Sequence, residues 1–366
     1  MADKVRIGIV GTGGIAGSHV RSYQKLSQVE VVGLCDIIPG KAAAFGVRRG
    51  LPEAKCYEDH VEMIRDLKLD GVSICTYNAA HAQPTINCLT AGLHVLCEKP
   101  MCVTLADSVR MARAAKASGK ILTIGFQPRY DPNMQYLKEI VQSGALGHVY
   151  HVVTGSGRRR GMGGGTFIKK ETAGAGAIAD IGCYALDMAM NTLGYPRPLS
   201  VTAVTSNFFG ASAKHSHSSW GTEVWKPEDF EVEDFGAAFI RLEGGIALSF
   251  TTSWAMNMDS LGPAIFLGTE AGLKVGNSSS GAWDGSIESM TLFSETLGGQ
   301  TETKLAMRSR NFDLFEAKVR DFVESIQQGR PAPIPGEQIV RNQAIIGGIL
   351  RSVEAKGEVA IEIPEL

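Results

Sequence analysis

Gly11-Thr-Gly13-Gly-Ile-Ala16 stands between a short apolar run, Val5 to Val10, and a stretch with helical spacing; Asp36 follows twenty residues after Ala16. Each residue type at this spacing suits a dinucleotide. Gly11 permits the tight turn, Gly13 lets a pyrophosphate approach the backbone, and Ala16 allows close packing of helix on strand. With Thr12, Gly14 and Ile15 in the loop and first turn, the diphosphate is expected at the helix N-terminus, where unpaired N–H groups and the dipole favour negative charge. A glycine-rich surface turn is the competing reading, and the strand before, the helix after and the acid at the right distance argue against it. Asp36 would accept hydrogen bonds from the adenosine ribose and repel a 2′-phosphate. Its neighbours Ile37 and Ile38 offer no cation, and Lys41 reads as a solvated helix residue, so NAD(H) is expected over NADP(H).

A second chemistry lies in Glu98-Lys99-Pro100, directly after the apolar run 94–97. Open α/β sheets bind ligands at the carboxyl ends of their strands, so residues just past a strand are candidates. A lysine there can hold a substrate hydroxyl and stabilise the alkoxide that develops as hydride leaves carbon. Pro100 fixes the backbone beyond it, and a cis Lys99–Pro100 bond would serve to aim the side chain. Taken alone, Lys99 is as readily a solvated charge. Thr76-Tyr-Asn78-Ala-Ala-His81 follows another strand end in the same way. His215 and His217 stand one residue apart, in a Ser-rich loop without further ligands, and no metal site is expected.

The elements that must position these residues follow from hydrophobic patterning. Up to about residue 125, short apolar runs near 5–10, 29–35, 72–75, 94–97 and 121–124 alternate with helical stretches near 14–26, 59–67, 80–91 and 104–118, which predicts a doubly wound parallel sheet. A helix over 131–143 leads out. Beyond it, runs near 148–155, 199–208, 235–242, 246–254 and 289–294 predict a large, mainly antiparallel open sheet packed on helices, with different environments on its two faces. Two helices close the chain, one striped by Phe315, Val319, Phe322 and Ile326 and the other over 337–355. A dinucleotide-binding domain over 1–126 and a substrate-binding and oligomerisation domain over 127–366 are expected, with the helix 337–355 able to pack back on the first. At 366 residues, 44% hydrophobic and net charge −2, the chain suits two soluble domains. Neither nucleic acid nor a membrane surface is an expected partner. Seven cysteines without a CxxC pair and an apolar strand beginning at Val5 predict a reducing, cytoplasmic setting without a leader peptide.

These motifs together resemble the Gfo/Idh/MocA family, named for glucose–fructose oxidoreductase, inositol 2-dehydrogenase and a rhizopine-catabolism protein. The resemblance spans nearly the whole chain. It rests on Gly11 to Ala16, on Asn78 and His81, on Glu98-Lys99-Pro100, on Gly125-Phe-Gln127-Pro-Arg129-Tyr130, and on Gly174-Ala-Gly176-Ala-Ile-Ala-Asp180-Ile-Gly182-Cys183-Tyr184. It implies a two-domain NAD(P)-dependent oxidoreductase acting on sugars or polyols, associating as a homodimer or homotetramer through the open face of the second sheet. It also implies that Thr76, Asn78, His81, Glu98, Lys99 and Gln127 border the cofactor and that Lys99, Tyr184 and Asp180 are catalytic. Asp180 and Tyr184, four residues apart, share a helical face, with Cys183 beside it. In the inositol dehydrogenase branch a histidine stands where this chain has Tyr184. A tyrosine with an ordinary pKa near ~10 needs about 4 kcal/mol to act as a base near pH 7. An ammonium at about 4 Å in a dielectric near 20 supplies roughly that amount.

Substrate contacts are less defined. Arg129, His151, Arg158 in the Arg158-Arg-Arg160 run, Cys183 and Trp220 are the candidates, with Trp225 a further sugar-stacking ring. Besides a dehydrogenase or ketosugar reductase, the same residues suit an NAD-using glycosidase working by transient oxidation and elimination, or a non-catalytic NAD or sugar sensor.

Overall fold

The computed structural model describes residues 4–219, 222–277 and 287–366. From the N-terminus, β1 (Val5–Val10), α1 (Gly14–Gln24), β2 (Val29–Cys35), α2 (Lys41–Arg48), β3 (Lys55–Tyr57), α3 (His60–Asp66), β4 (Gly71–Ile74), α4 (Ala82–Thr90), β5 (His94–Cys97), α5 (Leu105–Ser118) and β6 (Leu122–Ile124) alternate. The six strands pair in parallel in the order β3-β2-β1-β4-β5-β6. The order reverses between β1 and β4, which is where such sheets open a crevice for ligands. Side-chain caps start several of the helices. Asp59 accepts from the Val61 N–H ahead of α3, and Thr104 from the Asp107 N–H ahead of α5. α1 differs: Gly13 precedes it and supplies no side-chain cap.

After α6 (Pro132–Gln142), the second sheet begins with β7 (Val149–Gly157). A single turn, α7 (Lys170–Ala173), precedes a π-helical turn at Ile178–Gly182 that runs into α8 (Cys183–Thr192). Then come β8 (Pro198–Ser206), β9 (Phe235–Leu242), β10 (Ile246–Ser253), β11 (Ala264–Gly268), β12 (Gly272–Asn277), β13 (Ile287–Thr296) and β14 (Gly299–Lys304). α9 (Leu314–Gln328), α10 (Gly336–Ala355) and β15 (Val359–Ala360) complete the chain. The nine-stranded order is β14-β13-β12-β11-β7-β10-β9-β8-β15. Its pairs are antiparallel except β7–β10, which lie parallel and make the sheet mixed. Val152, Ile240, Leu248 and Phe250 are fully buried on one face, whereas Phe239 and Val204 point to the other and stay partly exposed. No described helix is long and apolar enough to cross a membrane.

Two compact units result. The first joins Met1–Phe126 to Phe312–Val340 and Pro364–Leu366; the second joins Gln127–Asn311 to Arg341–Ile363. The opening segment of the first unit ends at Phe126; α9 returns to that unit, while α10 passes into the second at Arg341. Hydrophobic burial explains the return. Val319, Phe322 and Val323 of α9 are fully buried in one cluster with Ile7, Ile9, Val20 and Tyr23, each such side chain contributing about 1.5–3 kcal/mol. In the second unit, Trp225, Phe230, Trp254, Ile181 and Met162 form a separate cluster.

Candidate active site

In the first unit the glycine loop has the form a dinucleotide needs. Gly11 has φ of 86°, and a Cβ there would lie 2.7 Å from the backbone of Cys75 and Thr76, so only glycine fits. Gly13 and Gly14 are exposed, and a Cβ on either would meet nothing within 4 Å. The loop therefore combines a forced turn, open space beside two glycines, and a helix start without a side-chain cap, an arrangement that suits a diphosphate. Ile15 is half-buried against the core cluster, and Ala16 is fully buried. Thr12 gives both its N–H (2.9 Å) and its hydroxyl (2.7 Å) to Asp36 Oδ2, holding the acid at the end of β2. Lys41 corrects the sequence reading: it is not simply solvated, since its Nζ lies 2.9 Å from the same oxygen. Burial pushes the Asp36 carboxyl up, but Lys41 and the Thr12 and Ile38 hydrogen bonds outweigh it and hold the pKa below the ordinary value.

Beyond β4, the Thr76 hydroxyl donates to Ala80 O (3.0 Å) and Asn78 opens a short 3₁₀ turn. His81 is buried, with Nδ1 2.8 Å from Pro100 O and Nε2 3.2 Å from Thr76 O. Burial lowers its pKa, and a neutral ring donates through Nδ1 to the closer carbonyl, tying the β4 and β5 loops together. The Lys99–Pro100 bond is cis. Glu98 points inward. Its Oε1 takes His19 Nε2 (2.7 Å) and the Lys318 ammonium, and its Oε2 takes the Lys99 N–H at 3.3 Å. His19 and Lys318 lay outside the sequence reading. The second hides in an apolar helical stripe, and only a third dimension could join it to Glu98.

In the second unit, Asp180 sits in the π-helical turn and Tyr184 follows in α8. A π turn inside a helix is often found at functional sites. Two glycines make room for it: a Cβ on Gly176 would lie 2.0 Å from Glu233 O, and one on Gly182 would lie 2.8 Å from the Phe250 ring. Trp254 Nε1 donates to Asp180 Oδ2 at 2.9 Å, and Arg158 Nη1 lies 3.7 Å from the same oxygen. Gln127 Nε2 donates to the Tyr184 hydroxyl at 3.2 Å. Cys183 is buried, its Sγ 3.4 Å from Asp180 O. Trp254 was legible only as an apolar strand residue, yet it holds the acid.

The substrate candidates divide. Arg129 is pinned to Asp187 through two bonds of 2.9 and 2.8 Å and to the Tyr195 hydroxyl. His151 lies on β7 with Phe239 and Ser249, while Thr154, whose hydroxyl reaches Ala185 O of α8, points to the opposite face. Side chains of odd spacing on a strand face apart, so His151 is on the sheet face away from Tyr184. The three arginines do not act as one clamp. Arg158 turns to Asp180 and to Gly161 O, whereas the Arg160 guanidinium lies 4.5 Å over the Phe209 ring. Trp225, expected to stack on a sugar, is instead buried against Phe230, with Nε1 donating to Gly210 O at 2.9 Å. Trp220 lies outside the described residues. Among the described residues there is no group of three His, Cys, Asp or Glu arranged to hold a metal ion.

Comparison with known proteins gives this geometry its context. Residues 5–126 match an oxidoreductase family with an NAD-binding Rossmann fold, and residues 134–274 match the Gfo/Idh/MocA C-terminal domain. The D-glucoside 3-dehydrogenase of Escherichia coli is 34% identical over 275 residues, 74% of this chain and 77% of that protein. The chain belongs to the Gfo/Idh/MocA family. Inositol 2-dehydrogenase of Salmonella typhimurium is 41% identical over 145 residues, 39% of this chain and 43% of that one. The aldose–aldose oxidoreductase of Caulobacter crescentus superposes with a TM-score of 0.78 at 25% identity, over 98% of this chain and 99% of the other. As a member of this family, whose Rossmann domain matches residues 5–126, the chain is an NAD-binding oxidoreductase.

Proposed function

We propose that the protein transfers hydride between a secondary alcohol or ketone of a sugar, glycoside or polyol and NAD. The observation that carries this reading is Lys99 at the end of β5, in a chain that matches a glucoside dehydrogenase over three quarters of its length. When bound, the dinucleotide supplies the hydride acceptor or donor. Lys99 steadies the oxygen as it gains negative charge, in place of solvent. Tyr184 takes the hydroxyl proton and Gln127 orients it; Asp180, held by Trp254, accepts from a neighbouring substrate hydroxyl. Thr12 and Asp36 take the adenosine end, with Thr76, Asn78 and His81 shaping the loop beyond β4. The ionised Asp36 favours NAD over NADP, its charge only partly offset by Lys41.

All seven cysteines are free, six of them buried, which supports a reducing cytoplasmic setting. The exposed Val204 and Phe239, on the sheet face turned away from the helices, support association with a second copy of the chain there. The test is NADH appearance with a panel of free sugars, glycosides, inositols and sugar phosphates, run with NAD and NADP in parallel. Steady NADH from one class is expected, and a Lys99→Ala variant that still binds NAD should lose at least ~10²-fold in turnover. A variant retaining more than about a tenth of wild-type turnover would remove Lys99 from the mechanism. Glycoside cleavage without NADH in solution would instead mark a cofactor that never leaves.

A further inference from the structure

Lys318 is 1% exposed in its side chain, deep in the first unit, with its ammonium on Glu98 Oε1. Lysine is almost never so buried unless it is paired. His19 Nε2 shares that carboxylate oxygen, at 2.7 Å, and is itself fully buried. The carboxylate fixes the ring as the Nε2–H tautomer, so Nδ1 accepts from the Ser73 hydroxyl (3.0 Å), and Ser73 Oγ accepts from Tyr23 (2.8 Å). The other carboxylate oxygen accepts the Lys99 N–H. Gly125 closes the cage: a Cβ there would stand 2.8 Å from Glu98 Oε1. Four segments thus meet at one carboxylate: α1 through His19, the β5 end through Lys99, the β6 end through Gly125, and α9 through Lys318; β4 joins them at one remove, through Ser73 on His19.

A buried ion pair is a poor device for stability alone, because desolvating both charges offsets most of their attraction and a packed apolar pair often does as well. Charge is retained here at the residue preceding Lys99, on the same carboxylate that grips α1, whose first turn faces the dinucleotide loop. We propose that the Lys318–Glu98–His19 cluster positions Lys99, with Lys318 and His19 governing turnover although neither touches substrate. This rests on Lys99 acting as the oxyanion cation. The ionised Glu98, held from three directions, fixes where β5 ends and so the direction in which Lys99 leaves the sheet. A misplacement of about 1 Å at a reacting group can cost on the order of 10²-fold.

The deciding variant is Glu98→Gln/Lys318→Met, which removes both charges and leaves a side chain of similar size in each place. Thermal unfolding, NAD affinity, kcat and KM are measured together, with Lys99→Ala in parallel. Melting near wild type and NAD affinity within about threefold are expected, with kcat at least tenfold lower and KM little changed. Wild-type kcat in a well-folded double variant would make the pair purely structural and overturn the proposal. Should that variant not fold, His19→Leu removes one tether without altering charge, since leucine has no donor for Glu98; a kcat reduced threefold or more at unchanged NAD affinity is expected, and an unchanged kcat overturns the proposal. If Lys99→Ala itself stays active, the assignment of Lys99 fails, and the positioning role falls with it. Loss in Lys99→Ala alone, with the double variant fully active, sinks only the positioning role.

Discussion

Replacing Asp187 by Ala should destabilise the protein far more than it touches catalysis. Asp187 is buried in α8 and receives Arg129 through two bonds of 2.9 and 2.8 Å, the Tyr195 hydroxyl at 2.5 Å, and Asn342 Nδ2 at 3.0 Å. Burial disfavours the Arg129 cation, yet Asp187 and Tyr195 raise its pKa further above the ordinary arginine value. A guanidinium stays protonated in proteins whatever its surroundings, so the cation persists when its partner is deleted. Breaking a buried pair by removing one member costs about 3–5 kcal/mol. For a unit of roughly 200 residues each kcal/mol moves the midpoint by about 2–4 °C, so a fall of about 6–20 °C is expected. Calorimetry or near-UV circular dichroism reads this directly. An apolar pair, Arg129→Met/Asp187→Leu, should recover at least half of the loss, since it leaves no uncompensated charge. A melting point within about 2 °C of wild type for Asp187→Ala would refute the reasoning. If Arg129 instead contacted substrate, Arg129→Met would raise KM and leave melting unchanged.

Three further outcomes are expected. Gly11→Ala must resolve a 2.7 Å clash with the backbone of Cys75 and Thr76 at a φ that L residues avoid; a titration should show NAD affinity down at least tenfold, and retained affinity would mean that the loop adapts. His19 and His81 are held neutral by burial, each with a pKa below its ordinary value. The unfolded chain then binds more protons once the pH drops below about 6.5, so stability falls as pH falls, by up to ~1.4 kcal/mol per pH unit for each histidine until its folded pKa is reached; urea melts at about pH 7.5, 6.5 and 5.5 check this, and a flat or rising trend would contradict it. Leu297 and Gly298 link β13 to β14 with φ of 53° and 77° and Leu297 fully exposed; this is a two-residue turn that favours Asn-Gly, so Leu297→Asn should raise unfolding free energy by up to ~1 kcal/mol in a denaturant melt.

The first unit was legible because most of its strands are buried on both faces and alternate with helices, two of which, α3 and α5, start at side-chain caps. β1, β2 and β5 fall where the apolar runs place them, and the helix expected over 131–143 starts at the Asp131 cap with Pro132 in its first turn. β3 escaped notice because it is a three-residue edge strand whose Lys55 and Cys56 are exposed, leaving no hydrophobic alternation to read. α2, Lys41–Arg48, lies outside the helical stretches that the sequence pattern marked. In the second unit, β14 reads Gly-Gln-Thr-Glu-Thr-Lys, without an apolar side chain to mark it, and pairs with β13, where the Thr301 hydroxyl adds a bond to Ser294 O at 3.2 Å. β11 and β12, Ala264–Gly268 and Gly272–Asn277, lie outside the runs that the sequence pattern marked. The parallel β7–β10 pair joins strands nearly a hundred residues apart, a register that no local pattern specifies.

The site divides along the same line. Gly11 stands out because the conformational demand falls on the residue itself, and Lys99 is singled out as a candidate because it lies two residues past Cys97, the end of its strand. Lys41 was misjudged because its value depends on where Asp36 turns, five residues upstream and outside any helical period. Glu98 shows the limit most clearly. Its neighbours in the chain mark it as part of a cofactor loop, yet its partners come from residues 19 and 318, and its oxygens face the protein interior. Lys318 stands one residue before Val319 of an apolar stripe, and on a helix that places it at the edge of the same buried face. An amphipathic pattern treats such a lysine as rim, its amine drawn out to water. Here the stem follows its apolar neighbours inward and the amine finds an acid instead. Sequence could have raised the suspicion in one way: a buried glutamate before a functional lysine requires a cation, and that cation must come from outside the local segment.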